Sequence, residues 1–197
     1  MLRDYKPLAA RLLQAGSGYA QPTQVLPERI SVDDAAQQVM TDFRSITAII
    51  ILSGDSVDEA HRRMLQRGVR LLLVVDQDRH VVGVITARDI LGEKPLQIIT
   101  QRGLRREELL VRDIMTSLER LEVLDYAEVR VAKVGHIVST LQGLSRQHAV
   151  VVERDAAGKQ TVRGVFSATQ IARQLGIAIV SSEIAHTFSE IETQLAR

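Results

Sequence analysis

The sequence predicts an α/β (α+β) fold of two pseudo-symmetric repeats, each a three-stranded mixed sheet with two packed helices. Three observations predict it. The phrase VVGVITARDI at 81–90 returns as VRGVFSATQI at 162–171, placing Gly83 on Gly164. Upstream of each phrase stands an apolar run that ends in an acid, Leu73-Val74-Val75-Asp76 and Val150-Val151-Val152-Glu153. Further back, Val57, Ala60 and Met64 match Val134, Ile137 and Leu141, apolar at i, i+3 and i+7 in both copies.

Each copy therefore reads as lead-in helix, strand, helix, strand, turn, strand, helix. In the first copy strands are expected near 47–52, 70–75 and 80–86, with helices near 56–67 and 87–92. In the second, strands near 121–124, 147–153 and 161–167 accompany helices near 132–145 and 168–175. The offset between copies is 75 residues at Val39-Met40-Thr41 and Ile114-Met115-Thr116, 77 through the first helix and the apolar run, and 81 at the glycine. The last step is a hairpin of different length, DAAGKQT against DQDRH, and loops tolerate such insertions. Two helices on one face of a three-stranded sheet leave the other face uncovered, so the copies should pack against each other. The chain divides as an arm or linker over 1–30, repeat 1 over 31–98, a linker over 99–110, repeat 2 over 111–176 and a helix over 177–197. The arm holds a short helical pattern near 7–13, then Gly16-Ser17-Gly18 and two prolines. The last helix carries an apolar stripe of Ile184, Phe188, Ile191 and Leu195, which packs on its own domain or forms a dimer contact.

Composition narrows the function classes. A chain of 197 residues with 45% hydrophobic and 25% charged content can build a packed core, and a net charge of +1 exerts no global pull on nucleic acid or membranes. The longest apolar run, 48–52, is strand-sized and far short of a membrane span. The N-terminus is a poor signal peptide, so a cytoplasmic protein is expected. The absence of cysteine excludes disulfides, thiolate-ligated zinc and cysteine nucleophiles. With 3% aromatic residues and no tryptophan, a stacking platform for single-stranded nucleic acid is not expected. His61, His80, His136, His148 and His186 show no pair at metal-ligand spacing, and neither a nucleophile–base arrangement nor a phosphate loop is visible. No metal, no catalytic residue and no enzyme activity are expected. Arg102, Arg105 and Arg106, followed by Glu107 and Glu108, read as a solvated linker, with nucleic-acid contact the lesser alternative.

Val-Arg-Asp-Ile-Met-Thr at 111–116, the apolar runs ending in an acid, and Gly-Val-Ile-Thr-Ala-Arg-Asp-Ile at 83–90 resemble the cystathionine-β-synthase (CBS) type of domain. The tandem resembles a CBS pair, or Bateman module, over about 36–176, and its flanking segments resemble those of free-standing bacterial CBS-pair proteins. The resemblance implies a regulatory module without a resident cofactor. Such a module binds an adenosine nucleotide (AMP, ADP or ATP-like) between the repeats, forms a homodimer and signals to a protein partner still to be identified. The family pattern Gly-h-x-Thr/Ser-x-x-Asp falls on Gly83, Thr86 and Asp89, with Asp directed to ribose hydroxyls and Thr to phosphate. In the second copy Gly164 and Ser167 fit, whereas Gln170 departs. A proline common in the middle strand is replaced by Leu73 and Val150, which implies more apolar cleft walls.

The chemistry of Thr86-Ala87-Arg88-Asp89 supports two readings. A helix start offers free N–H groups and a favourable dipole for phosphate; Thr86 adds a hydroxyl, and Arg88 a compensating charge if it faces the cleft. Asp89 has two acceptor oxygens for a vicinal diol. Equally, Thr-x-x-Asp is close to a capping box and needs no ligand. Ser167-Ala168-Thr169-Gln170 has the S/T-x-x-E/Q form of that box, but an amide cannot present a charged, acceptor-only face. One competent nucleotide site around Asp89 is therefore expected, with a degenerate counterpart near Gln170. His148, beside Gln147, is a packing residue or faces the cleft. The competing function is a homodimeric adaptor without a nucleotide, in which Thr86 and Asp89 are caps alone.

Overall fold

The computed structural model describes residues 24–177. The helical pattern near 7–13 and the apolar stripe of the last helix lie outside the described residues. In chain order the elements are β1 (Thr41–Asp42), β2 (Ile50–Leu52), α1 (Val57–Arg67), β3 (Leu71–Val75), β4 (Val81–Thr86), α2 (Ala87–Leu91), α3 (Lys94–Arg102) and α4 (Val111–Ile114). They continue as β5 (Thr116–Ser117), β6 (Val123–Asp125), α5 (Tyr126–Val129), α6 (Val134–Gly143), β7 (His148–Arg154), β8 (Gln160–Ser167) and α7 (Ala168–Gln174). No helix among the described residues is long and apolar enough to cross a membrane.

The two helices with matching apolar spacing form as expected and bury that stripe. Ser56 caps α1 by accepting from the Glu59 N–H, Asp58 and Glu59 sit in its first turn, and Gly68 ends it in the left-handed region (φ 63°). Val57, Ala60 and Met64 are buried, as are Val134, Ile137 and Leu141 of α6. Each copy pairs its first strand in parallel with its second and its second antiparallel with its third. The irregularities also coincide: the ladder slips between Val74 and Val75 in one copy and between Val151 and Val152 in the other. The tight hairpin places Arg79 at φ 65°, and the longer one uses Gly158 at φ 80°.

Each sheet has four strands, one more than the sequence predicts, in the orders β2-β3-β4-β5 and β1-β8-β7-β6. The additional strand is in each case the lead-in of the other repeat. Thr116 and Ser117 pair with Val84 and Gly83, and Thr41 and Asp42 pair with Val165 and Gly164. Two-residue strands leave no periodic trace, so the pairing is invisible in sequence. The repeated glycine makes it possible. A side chain at Gly83 would collide with the Thr116 carbonyl, and one at Gly164 with the Thr41 carbonyl and the Met40 side chain.

The cores follow the exchange. Leu109, Val111 and Ile114 pack with Ile51, Met64, Leu72 and Ile85, while Ala36, Val39 and Met40 pack with Val134, Leu141 and Phe166. A third cluster, centred on Leu73, Val84 and Val150, joins the inner faces of the two sheets, so each copy covers the other. The segment expected as a linker is partly helical. α3 runs through it to Gly103, with Arg102 on Asp113 and Arg106 on Asp58 at 2.8 and 3.1 Å. Charge content hid this helix, whose apolar contacts are confined to a narrow side that includes Ile98 and Ile99. The crossing of β1 over β8 is further tied by Arg163, which is buried, ion-paired with Asp42 and stacked 4.6 Å above the Tyr126 ring. The described part of the arm is fastened to the same half, where Gln24 bridges the Met40 carbonyl and the Asp42 N–H. Gln174 does the same through the Pro27 carbonyl.

Candidate functional site

Two cavities open between the sheets, each at the end of one copy of the repeated phrase. The first, of about 180 Å³, takes Thr86, Arg88 and Asp89 from repeat 1 and Arg146, Gln147 and His148 from repeat 2. The second, of about 270 Å³, takes Ser167, Gln170 and Arg173 from repeat 2 and Thr41, Thr47 and Arg70 from across the sheets. Leu71 and His148, which occupy equivalent positions in β3 and β7, line both. Val150 borders the first cavity and Leu73 the second, at the places where the resemblance implied apolar walls.

In the first cavity the capping box is complete. The Asp89 N–H donates to Thr86 Oγ1 at 3.3 Å, and the Thr86 N–H donates to Asp89 Oδ2 at 2.8 Å. Thr86 Oγ1–H also donates to Asp89 Oδ2, at 2.6 Å. Both hydrogen bonds that the Asp89 carboxylate accepts therefore fall on Oδ2. Asp89 Oδ1 has no hydrogen-bond partner among the described residues and remains an available acceptor at the cavity wall. Because α2 has only five residues, its dipole supplies less than the sequence reading assigned to it. Arg88 is exposed at the rim.

The second copy departs from expectation. Ser167 makes no side-chain cap, so the box predicted for Ser167-Ala168-Thr169-Gln170 does not form. The backbone at Ser167 has ψ 121°, against 162° at Thr86. The longer Gln170 side chain turns its amide toward the Val39 carbonyl and Gln174 Oε1, at 3.5 and 3.4 Å. The helix is instead anchored by its backbone, Ala168 N–H donating to the Gln147 carbonyl at 2.8 Å, as Ala87 N–H donates to the Arg70 carbonyl at 2.9 Å.

His148 is the most perturbed group near either cavity. Its Nδ1 is sealed from solvent and has no hydrogen-bond partner, and burial, reinforced by the nearby Arg70 charge, holds its pKa down at about 4. The ring is therefore neutral at physiological pH.

Of the residues singled out from sequence, Thr86, Arg88, Asp89 and His148 meet in the first cavity, and Ser167 shares the second with His148. Gly83 borders neither; its place is under the Thr116 carbonyl, where it admits β5. Sequence reasoning missed Arg70, Arg173 and the lead-in threonines, Thr41 and Thr116, which line the second and first cavities respectively. Alignment of the copies at an offset of 77 places Arg70 on Gln147, a signal that was there to be read. Away from both cavities, the β3–β4 turn gathers Asp76, Asp78 and His80 within 4.8 Å of one another, a grouping that the search for histidine pairs did not anticipate. Asp78 and His80 are exposed and Asp76 is half-buried, and the His80 N–H donates to Asp76 Oδ1.

Comparison with known proteins bears on the whole arrangement. The family model for the CBS domain matches residues 39–96. No curated protein matches the chain. Among solved structures, an uncharacterized conserved protein from Pyrococcus horikoshii superposes with a TM-score of 0.53 at 21% identity, over 78% of this chain and 100% of that one. The CBS domain pair of protein MJ0100, solved in complex with 5'-methylthioadenosine and S-adenosyl-L-methionine, gives 0.50 at 18% identity over 74% and 98%. The CBS domain protein TA0289 from Thermoplasma acidophilum gives 0.50 at 16% identity over 80% and 77%. The first repeat thus matches the CBS domain over 39–96, and the fold repeated around a shared interface is that of solved CBS domain pairs.

Proposed function

We propose that this chain is a regulatory ligand-sensing module that binds an adenosine nucleotide in the Asp89 cavity. The ligand signals to a partner through conformation or dimerisation. The supporting observation is the division of labour on Asp89: Oδ2 holds the helix start, and Oδ1 is left as a charged acceptor at the wall of an inter-repeat cavity. A carboxylate of this kind suits the vicinal hydroxyls of a ribose, and each such hydrogen bond contributes about 1.5–3 kcal/mol. The MJ0100 pair, which shares the fold, was solved with two adenosine-derived ligands. To act as a signal the nucleotide must prefer one arrangement of the pair or its dimer over another, since equal affinity shifts no equilibrium. Calorimetry with AMP, ADP and ATP on the wild type and on Asp89→Asn tests the reading. The substitution keeps an acceptor for the cap and removes the charge, so affinity should fall at least tenfold. Equal binding by both proteins, or none by either, sinks the site.

A second reading rests on the same hydrogen bonds. The complete capping box accounts for Thr86 and Asp89 without any ligand, and Leu65, Leu91 and Leu96 stand exposed on α1, α2 and α3. A homodimeric adaptor would sediment as a dimer and show no change in Tm with any nucleotide.

A further inference from the structure

We propose that the Gln170 cavity is an anion site that takes a phosphate or diphosphate group without a ribose, so the two cavities of this chain recognise different chemistries. This inference is independent of nucleotide binding at Asp89. It departs from the expectation that the second copy is merely degenerate.

The argument begins with charge. Arg70, just ahead of β3, and Arg173, on α7, come from different repeats and converge on one cavity of about 270 Å³. No residue lining that cavity is Asp or Glu. Among the described residues neither arginine has a carboxylate partner, whereas Arg63, Arg146 and Arg163 each have one. Two guanidinium groups facing one recess without a counter-charge repel each other, and an anion between them removes that repulsion. The hydroxyls of Thr41 and Thr169 line the same recess and can donate to phosphate oxygens.

His148 also lines the recess. Its ring is neutral and so adds no negative charge there, and its Nδ1, sealed from solvent, has no hydrogen-bond partner. Gln170 fits the same reading from the other side. Where the first copy has the Asp89 carboxylate, the second has a neutral amide. The substitution that removes a ribose clamp thus also leaves the recess without a negative charge beside its arginines.

The test uses inorganic diphosphate titrated calorimetrically into the full chain, as wild type, Arg70→Gln, Arg173→Gln and Asp89→Asn. The arginines are exposed and outside the cores, and circular dichroism melts verify that the variants fold. Expected is saturable binding of one diphosphate per chain, weakened tenfold or more by either arginine substitution and changed less than twofold by Asp89→Asn. Absence of saturable binding overturns the proposal, as does affinity unchanged in both arginine variants or lost in Asp89→Asn. Adenosine, which has the diol and no phosphate, serves as the opposite probe. If it fails to bind while diphosphate behaves as stated, the nucleoside reading of Asp89 falls and the anion site stands. ADP titrated into Asp89→Asn separates a free diphosphate from one carried on a nucleoside. Affinity matching that of diphosphate supports recognition of the anion alone, whereas binding tighter by tenfold or more shows a nucleoside held in this cavity and overturns the separation.

Discussion

The Asp89 and Gln170 cavities are built from equivalent positions of one repeat and differ in the charge those positions present. Asp89 corresponds to Gln170, and Arg70 to Gln147, so one cavity holds an acid with a neutral amide and the other a base with a neutral amide. Leu71 corresponds to His148, and both residues line both cavities. The backbone scaffold is the same in each copy, down to the ladder slip after Val74 and Val151. The difference teaches that a duplicated fold preserves backbone geometry, which packing enforces, while single side chains at its rims are free to specialise.

The largest expected effect breaks the feature the copies share. Gly83→Ala and Gly164→Ala each press a methyl group onto the carbonyl of a crossing lead-in strand, which is backbone and cannot rotate away. Each should lose about 3 kcal/mol, read as a drop in Tm, with similar losses in the two copies. A markedly smaller loss at one glycine would mean that its crossing is not needed.

The next effect separates the copies at Leu71 and His148. The folded pKa of His148, about 4, lies below its ordinary value of 6.5, so between these values the unfolded chain holds the extra proton. Stability is thus full above pH 6.5 and drains as the pH falls to about 4, a loss of about 3 kcal/mol. His148→Leu, which restores the residue type of the first copy, should flatten that acid limb in urea titrations. An unchanged slope would place the proton uptake elsewhere.

The smallest effect concerns the helix starts. Thr86→Ala removes a cap that accepts from the Asp89 N–H and should cost about 1 kcal/mol. Ser167→Ala removes no cap and should cost less than about 0.5 kcal/mol. Equal losses would show that Ser167 caps its helix in solution.

The legible parts of the fold were those with a period. The helices over 56–67 and 132–145 were marked by apolar residues at i, i+3 and i+7 that do become the buried stripe. The strands around Val74, Val84, Val151 and Val165 were marked by their repetition. The lead-in strands were not legible, because Thr41-Asp42 and Thr116-Ser117 are two-residue strands. Their pairing partners lie far away in the other repeat. The Asp89 cavity was half legible. Thr86 and Asp89 stand in one local motif, whereas Arg146, Gln147 and His148 reach it only by packing of the second sheet.

The sequence by itself determined the duplication, the element types and the loss of the carboxylate at Gln170, because these depend on local spacing and on comparison of one copy with the other. Only the tertiary structure decided that each lead-in crosses to the opposite sheet. It likewise decided that Arg70 and Arg173 face one recess and that His148 is sealed between two cavities with its nitrogen unpaired. Charge convergence and burial arise between segments distant in the chain, where no sequence period records them.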